Sequence, residues 1–500
     1  MNGASPVIET RLKHLESHLE QENPVLLNTV QSFRELDAVA HSMGLFTPEQ
    51  SYATQIPWWP LISVLGTFSA GKSTFINHYL RTKLQRSGNQ AVDDKFTVLC
   101  FSRHPSTHAL PGVALDSDPR FPLYKVSGEI EKVAAGEGSR IDAYLQLKTS
   151  DSPALRGKIL IDSPGFDADA QRTSTLKITD HIIDLSDLVL VFFDARHPEP
   201  GAMRDTLDHL VSRTINRADS GKFLYILNQL DTTAREDNPE EVVAAWQRAI
   251  GERGLTAGRF YTIYNDEAAS PIPDEALRRR FEGKRDADLA EIHERMEQVE
   301  VERAYRIVGS LDKTARSFGD RIVPALNGLI GRWRKRTLIG DGVVLAMILG
   351  LFFGLTTRLG QWEGMQLKAG WWDAITATPV SLYFTALAVF LLWLAVHYSV
   401  RKLMAKSLRR AAARLGQELG IRGDLAAAFA ANTRPWRSIF APSPAGWTRR
   451  NRRRVQQVLE DTDRYVQDLN DRFADPSGNP PAMAPAAAET MLAEAAHEPA

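Results

Sequence analysis

The apolar positions of this chain change their period along its length, and each change predicts a different element. Ile8, Leu12, Leu15 and Leu19 recur at helical spacing, so residues 7–43 read as helix, with Pro24 set to break the run in two. From 55 to 274 short apolar runs alternate with helix-like segments. The runs 61–65, 97–102, 158–161, 188–193, 223–227 and 260–264 read as strands. This alternation predicts an α/β domain: a mostly parallel sheet with helices on both faces. Residues 278–336 read as long, charged helix, with a break expected near Pro324, and 455–473 as one more amphipathic helix. The last stretch, 475–500, is rich in Pro and Ala and reads as disordered.

Two runs obey neither period. Residues 337–357 and 379–400 are almost continuously apolar, and each is long enough to cross a hydrocarbon layer of roughly 30 Å. Asp341 lies near the start of the first, and the second carries no formal charge through Val396. The polar loop between them holds Trp362, Trp371 and Trp372, amphipathic rings suited to the headgroup level. Arg332, Arg334, Lys335 and Arg336 precede the pair; Arg401, Lys402, Lys406, Arg409 and Arg410 follow it. The loop has only Arg358 and Lys368, so the excess of positive flanks places both termini in the cytoplasm and the loop outside.

Charge sharpens this picture. The formal net charge is −1, yet from 401 to 456 fourteen Lys and Arg face only Glu418 and Asp424. A basic block beside an apolar run points to anionic lipid headgroups rather than to nucleic acid. The single cysteine, Cys100, can form no intramolecular disulfide and fits a reducing compartment. Glu9, Glu16 and Glu20 near the start exclude an acid-poor transit peptide there, and no basic segment leads into an apolar core as in a secretory signal.

The chemistry sits at three strand ends. Gly66, Thr67, Phe68, Ser69, Ala70, Gly71, Lys72 and Ser73, followed by Thr74, fit G-x-x-x-x-G-K-[ST] after a strand and before a helix. Backbone N–H groups of such a loop and the helix N-terminus make a concave anion site. Lys72 would reach the β- and γ-phosphates, Ser73 would ligate Mg²⁺, and Gly71 would let the backbone approach the phosphates. Asp162-Ser-Pro-Gly165 follows the third strand; Asp162 would hold Mg²⁺ through water and the Gly165 N–H would sense the γ-phosphate, so that the loop 166–175 orders with the triphosphate. Asn228-Gln-Leu-Asp231 follows the fifth. Asp231 can accept hydrogen bonds from guanine N1–H and its exocyclic amine, Asn228 would tie this loop to the first, and Gln229 stands where guanine-binding loops usually carry Lys.

These stretches resemble the dynamin superfamily of large GTPases. The carriers are GTFSAGKSTFIN at 66–77, DSPGF at 162–166, DLVLVFFDA at 187–195 and NQLD at 228–231. Bacterial members look most similar, and the paired apolar runs resemble the hairpin of mitofusins. The resemblance implies GTP hydrolysis with Mg²⁺, and Ser69 as a P-loop serine that positions the hydrolytic machinery and a monovalent cation, K⁺ or Na⁺. It also implies dimerisation, or higher assembly, through the nucleotide faces. Helices flanking the nucleotide domain would pass the nucleotide state to the membrane. The family's switch I threonine should lie near 90–97, where Asp93, Asp94 and Thr97 all remain candidates; the catalytic candidates are thus Ser69, Lys72 and Thr97. Phe166 stands where Ras-like enzymes orient water with glutamine, so a lone site should be slow and a partner should complete it. One branch of the superfamily binds ATP with a similar base loop.

The expected organisation is therefore N-terminal bundle helices (1–54), a dynamin-type GTPase domain (55–277), bundle or stalk helices (278–336), a transmembrane hairpin (337–400), a basic membrane-proximal segment with a last bundle helix (401–474) and the tail. The expected function is a GTPase of a bacterial cytoplasmic membrane, bound to GTP or GDP, that remodels the bilayer. The alternative is a membrane-anchored GTP switch that recruits proteins without mechanical work.

Overall fold

The computed structural model describes residues 5–67, 69–86, 95–118, 121, 123, 125–133, 136–165, 173–196, 220–235, 239–252 and 259–473. The chain divides into two compact units. One comprises Arg11–Asn28, Thr54–Val308 and Val466–Ala500; the other comprises Met1–Thr10, Thr29–Ala53 and Gly309–Tyr465.

The first unit is built on an eight-stranded sheet. Its strands are β1 (Leu61–Gly66), β2 (Phe96–Phe101), β3 (Leu110–Pro111), β4 (Leu145–Ser150), β5 (Ile159–Asp162), β6 (Leu188–Asp194), β7 (Phe223–Asn228) and β8 (Arg259–Thr262), in spatial order β3-β4-β2-β5-β1-β6-β7-β8. The six strands read from the sequence are all present, shifted by one or two residues at their ends. β3 and β4 were not legible: β3 is two residues long, and β4 (LQLKTS) interleaves its apolar positions with Gln146 and Lys148. Strands β5, β1, β6, β7 and the edge strand β8 are parallel, and the inner four are almost wholly apolar, with Ser63 the buried polar residue within β1. β2 runs antiparallel to β5, and β3 antiparallel to β4, so the sheet is mostly and not wholly parallel.

Register decides where the chemistry lies. Val64 pairs with Asp162, Gly66 with Phe192, and Asp194 with Asn228, so the parallel strands all deliver their carboxyl ends to one edge. Because β2 is reversed, its amino end reaches the same edge, with Thr97 opposite Asp162. Helices cover the faces: α3 (Lys72–Leu80), α4 (Thr173–Leu185), α5 (Pro239–Glu252) and the first part of α6 (Glu275–Ser317), after α1 (Pro6–Glu22) and α2 (Pro24–Met43). On one face Phe75, Ile76, Phe192, Ile292, Met296 and Val299 share a core; on the other Trp246 packs edge-on to Phe193 and Phe260. Asp187, at the entry to β6, accepts from the Leu61 N–H at 2.9 Å and pairs with Arg303 (3.1 Å) and Arg306 (2.5 Å) of α6, which fastens that helix to the sheet.

In the second unit the helix does not break at Pro324. Phe318–Ile322 form a π-turn, and α7 (Val323–Arg358) continues from it with Pro324 in its first turn. A proline lacks an N–H and crowds the carbonyl four residues back; the wider π-turn absorbs both demands without a break. A hairpin joins α7 to α8 (Pro379–Glu418), which starts on a capping box of Thr378 and Ser381 with Pro379 at its first position. The two helices approach closely: a Cβ on Gly340 would stand 2.8 Å from Val400 Cγ1. Asp341 meets His397 across them, Oδ2 to Nδ1 at 2.7 Å. The most apolar window of the helix bearing the first run is 6% buried and that of α8 is 0% buried. Leu351, Phe384 and Leu392 are each about two-thirds exposed. α9 (Leu425–Asn432) and α10 (Arg449–Phe473) follow.

Asp37 of α2 is buried in this unit and accepts from Ser51 Oγ at 2.5 Å and the Tyr52 N–H at 2.6 Å. Burial raises its pKa from 3.8 to about 6, against the lowering effect of those hydrogen bonds. The folded state thus holds this proton more tightly than the unfolded chain does. The stability it contributes is fully present below about pH 3.8 and is lost as pH rises through about 6. Asn at this position keeps an acceptor for the Tyr52 N–H and turns a donor toward Ser51 Oγ, without the titration. Denaturation at several pH values should show Asp37→Asn gaining on the parent from pH ~4 to ~7, by up to roughly 3 kcal/mol. Parallel profiles would refute this account of Asp37.

Candidate functional site: a nucleotide seat at the strand ends

Between β1 and α3 the chain turns through conformations that few residues adopt. Gly66, Ser69 and Gly71 have φ of 154°, 59° and 81°. Glycine is required at two of them for space as well: a Cβ on Gly71 would lie 2.2 Å from Asn228 Nδ2, and one on Gly66 2.4 Å from the Phe192 carbonyl oxygen. Thr67 and Ala70 are buried, and Ser69, Ser73 and Thr74 are half-buried. Lys72 opens α3 and is 7% exposed. Its Nζ donates to the carbonyls of Gly66 (3.1 Å) and Thr67 (3.0 Å). Burial pushes its pKa down, and the charge of Asp162 opposes that shift. A cation so placed, inside a loop at a helix N-terminus, is a seat for an anion.

Asp162 ends β5, buried, and its Oδ2 accepts from Ser73 Oγ at 3.2 Å. Facing hydroxyl and carboxylate oxygens are the donor set a hard divalent cation takes, so the residues present fit Mg²⁺. The same Oδ2 accepts from Gln85 Nε2 at 2.7 Å, and Lys148 Nζ donates to Gln85 Oε1 at 2.7 Å. Asn77 clasps the Gln85 backbone with two 2.8 Å bonds. Gln85 lies in a segment without periodicity, so sequence reasoning had no signal for it. Gly165 is half-buried, three residues beyond Asp162. Thr97 is fully buried in β2, and its hydroxyl accepts from Gln146 Nε2 at 2.8 Å. Phe68, Asp93, Asp94 and residues 166–172 lie outside the described residues.

The base loop is fastened to the phosphate loop twice. Asn228 Nδ2 donates to the Ala70 carbonyl at 2.9 Å, and Gln229, itself at φ 64°, donates through Nε2 to the Ser69 carbonyl at 2.6 Å. The residue that replaces the usual lysine is therefore a second tie. Asp231 is buried and its Oδ2 accepts from the Ser270 N–H at 2.7 Å. Burial raises its pKa, with the Ser270 bond pulling the other way. Arg196, just past β6, lies beside the same loop, its Nη2 3.5 Å from the Ser69 carbonyl and its guanidinium gripped by Asp194 at 2.6 Å.

The dynamin family model matches residues 62–230, which hold the phosphate loop, Asp162 and Asn228. Over that span the chain is similar to the dynamin family. Among curated relatives, EH domain-containing protein 1 of Homo sapiens is 25% identical over 179 residues, which cover 34% of this chain and 31% of that protein. The protein of the same name from Arabidopsis thaliana is 26% identical over 181 residues, 34% of this chain and 30% of that one. The match thus spans about a third of the length of these relatives. A solved structure described as an oligomerised bacterial dynamin pair for long-range sensing and tethering of membranes aligns over 93% of this chain and 74% of its own. Its identity is 12% and its TM-score 0.31.

Two substitutions test the seat. Lys72→Ala removes the buried cation, and Gly71→Ala drives a methyl into Asn228; each should cut affinity for fluorescent nucleotide at least tenfold, the equivalent of about 1.4 kcal/mol. Equilibrium titration checks this. Unchanged affinity in Lys72→Ala would remove the loop from the binding site.

Proposed function

We propose that this chain is a membrane-integral dynamin-like GTPase. GTP binding and hydrolysis, through pairing of nucleotide domains, drive a lever motion of the helices that remodels a bilayer by fusion, fission, tubulation or tethering. The observation that carries this reading is one chain holding both a dynamin-family nucleotide seat and two long apolar helices whose apolar windows are 6% and 0% buried. A helix of that composition in a water-soluble core would be covered; here it is bare, and hydrocarbon is the solvent that matches it.

The residues have the following parts. Lys72 and the loop N–H groups hold the phosphates. Ser73 and Asp162 would hold Mg²⁺, which supplies neutralising charge at the β- and γ-phosphates. Asp231 reads guanine, with Asn228 and Gln229 locking its loop to the phosphate loop. Ser69 orients the hydrolytic machinery and would hold a monovalent cation, K⁺ or Na⁺. Thr97, at the shared edge, is the described candidate for switch I, beside Asp93 and Asp94. The helices carrying 337–357 and 379–400 span the cytoplasmic membrane of a bacterium with both termini inside, and anionic lipids face the basic segment beyond them. The partners are GTP or GDP, the bilayer and further copies of the chain.

The test is reconstitution into liposomes. Added GTP should change vesicle shape or mixing in the parent and leave Lys72→Ala vesicles unchanged. Identical morphology with GTP, GDP and no nucleotide would defeat the mechanical reading. Within the same preparations Asp231→Asn exchanges an acceptor for a donor against guanine. It should lower GTP-over-ATP selectivity about tenfold or more; unaltered selectivity would take Asp231 out of the base pocket.

A further inference from the structure

Arg401 is the first residue after the second apolar run, and it is only 6% exposed. Its own carbonyl accepts from Trp333 Nε1 at 3.2 Å, and its guanidinium carbon lies 5.2 Å from the Trp333 ring centroid and 5.4 Å from that of Tyr398. The guanidinium donates to three backbone carbonyls of one distant segment: Arg434 at 3.2 Å, Pro435 at 3.4 Å and Arg437 at 2.7 Å. A planar fork that satisfies three carbonyls fixes the segment rather than merely touching it. Residues 434–441, RPWRSIFA, are thereby hung on α8 at the level where its apolar run ends.

The segment is built as a wedge. Two turns close it, Arg437 N–H to the Arg434 carbonyl at 3.1 Å and Ala441 N–H to the Ser438 carbonyl at 3.2 Å. Ile439 is buried and holds it from within, while Trp436 and Phe440 are 79% and 64% exposed. Arg434 lies over the Trp436 ring at 5.7 Å. From 425 to 459 there is no Asp or Glu and there are seven Arg. Two bare aromatic rings among arginines, with no acid near them in sequence, are matched to the headgroup zone. There rings bury their apolar faces and guanidinium groups meet phosphate.

We propose that residues 434–441 are an interfacial anchor: Trp436 and Phe440 enter the headgroup layer of the bilayer that the hairpin spans, Arg434 faces its anionic lipids, and Arg437 closes the wedge on the Ser443 carbonyl. This rests on the membrane reading of the apolar helices. It makes Arg401 a coupling residue, because the helix end and the depth of the wedge move together. Lipid is the occupant because the wedge is continuous with the end of an apolar helix and carries charge of one sign.

The experiment uses the full chain with Cys100→Ser and one new cysteine bearing an environment-sensitive fluorophore, at Phe440→Cys or, separately, Trp436→Cys. Phe384→Cys in the apolar run is the reference. Proteoliposomes are made with and without phosphatidylglycerol. The wedge labels should shift to shorter wavelength, resist iodide and be quenched by lipids spin-labelled near the headgroup, more so with phosphatidylglycerol. Wedge labels quenched by iodide and not by lipid, with the Phe384 label quenched from the bilayer interior, would overturn the anchor and leave the hairpin standing. Lipid quenching at neither position would overturn the hairpin first and the anchor with it. Protection from iodide that grows with protein density, without lipid quenching, would make the wedge a protein contact and overturn the proposal.

Discussion

Lys72 carries a positive charge into a loop where water hardly reaches it, and its own hydrogen bonds go to the carbonyls of Gly66 and Thr67. Desolvating an ammonium costs several kcal/mol unless charge compensates it, which is why burial lowers its pKa. The loop that accepts this cost is held in place from three sides. Gly71 leaves room for Asn228, Gln229 bonds the Ser69 carbonyl, and Asp162 turns its carboxylate to Ser73. These residues follow the carboxyl ends of three parallel strands, β1, β7 and β5. Sheet register therefore creates the site, whose loop and helix N-terminus suit an anion of high charge.

A second constraint acts at the other end of the chain. Apolar side chains of α7 and α8 face outward along most of two long helices, which supports the proposed membrane reading. The polar groups that remain there are placed with care. Asp341 and His397 meet across the hairpin, and Arg401 spends its donors on backbone carbonyls. Hydrogen bonding to a partner side chain and capture of backbone carbonyls are means by which polar groups tolerate an apolar setting. The nucleotide seat and the bare helices are joined by chain continuity, through α6 and the π-turn that lets the helix pass Pro324.

Much of this was legible in the sequence, because covered parallel strands are almost continuously apolar and glycine, lysine and serine in a phosphate loop have fixed spacing. All six apolar strands and the ends that bear Lys72, Asp162 and Asp231 follow from those two facts. What was hidden depends on side chains meeting across long separations. Gln85 reaches Asp162 from an irregular segment, Arg196 reaches the Ser69 carbonyl from beyond β6, and His397 finds Asp341 fifty-six residues away. β4 was hidden because Gln146 and Lys148 interrupt its apolar run, and both of those polar residues prove to serve the site's edge. The break expected at Pro324 failed because local propensity was overridden by a π-turn.

The most direct test of a seat completed by a second copy is the rate of GTP and ATP hydrolysis by the purified chain in liposomes, measured as protein density rises. The account predicts turnover per molecule that is selective for GTP and climbs with density. A slow rate that stays constant with density, or equal rates for the two nucleotides, would contradict it.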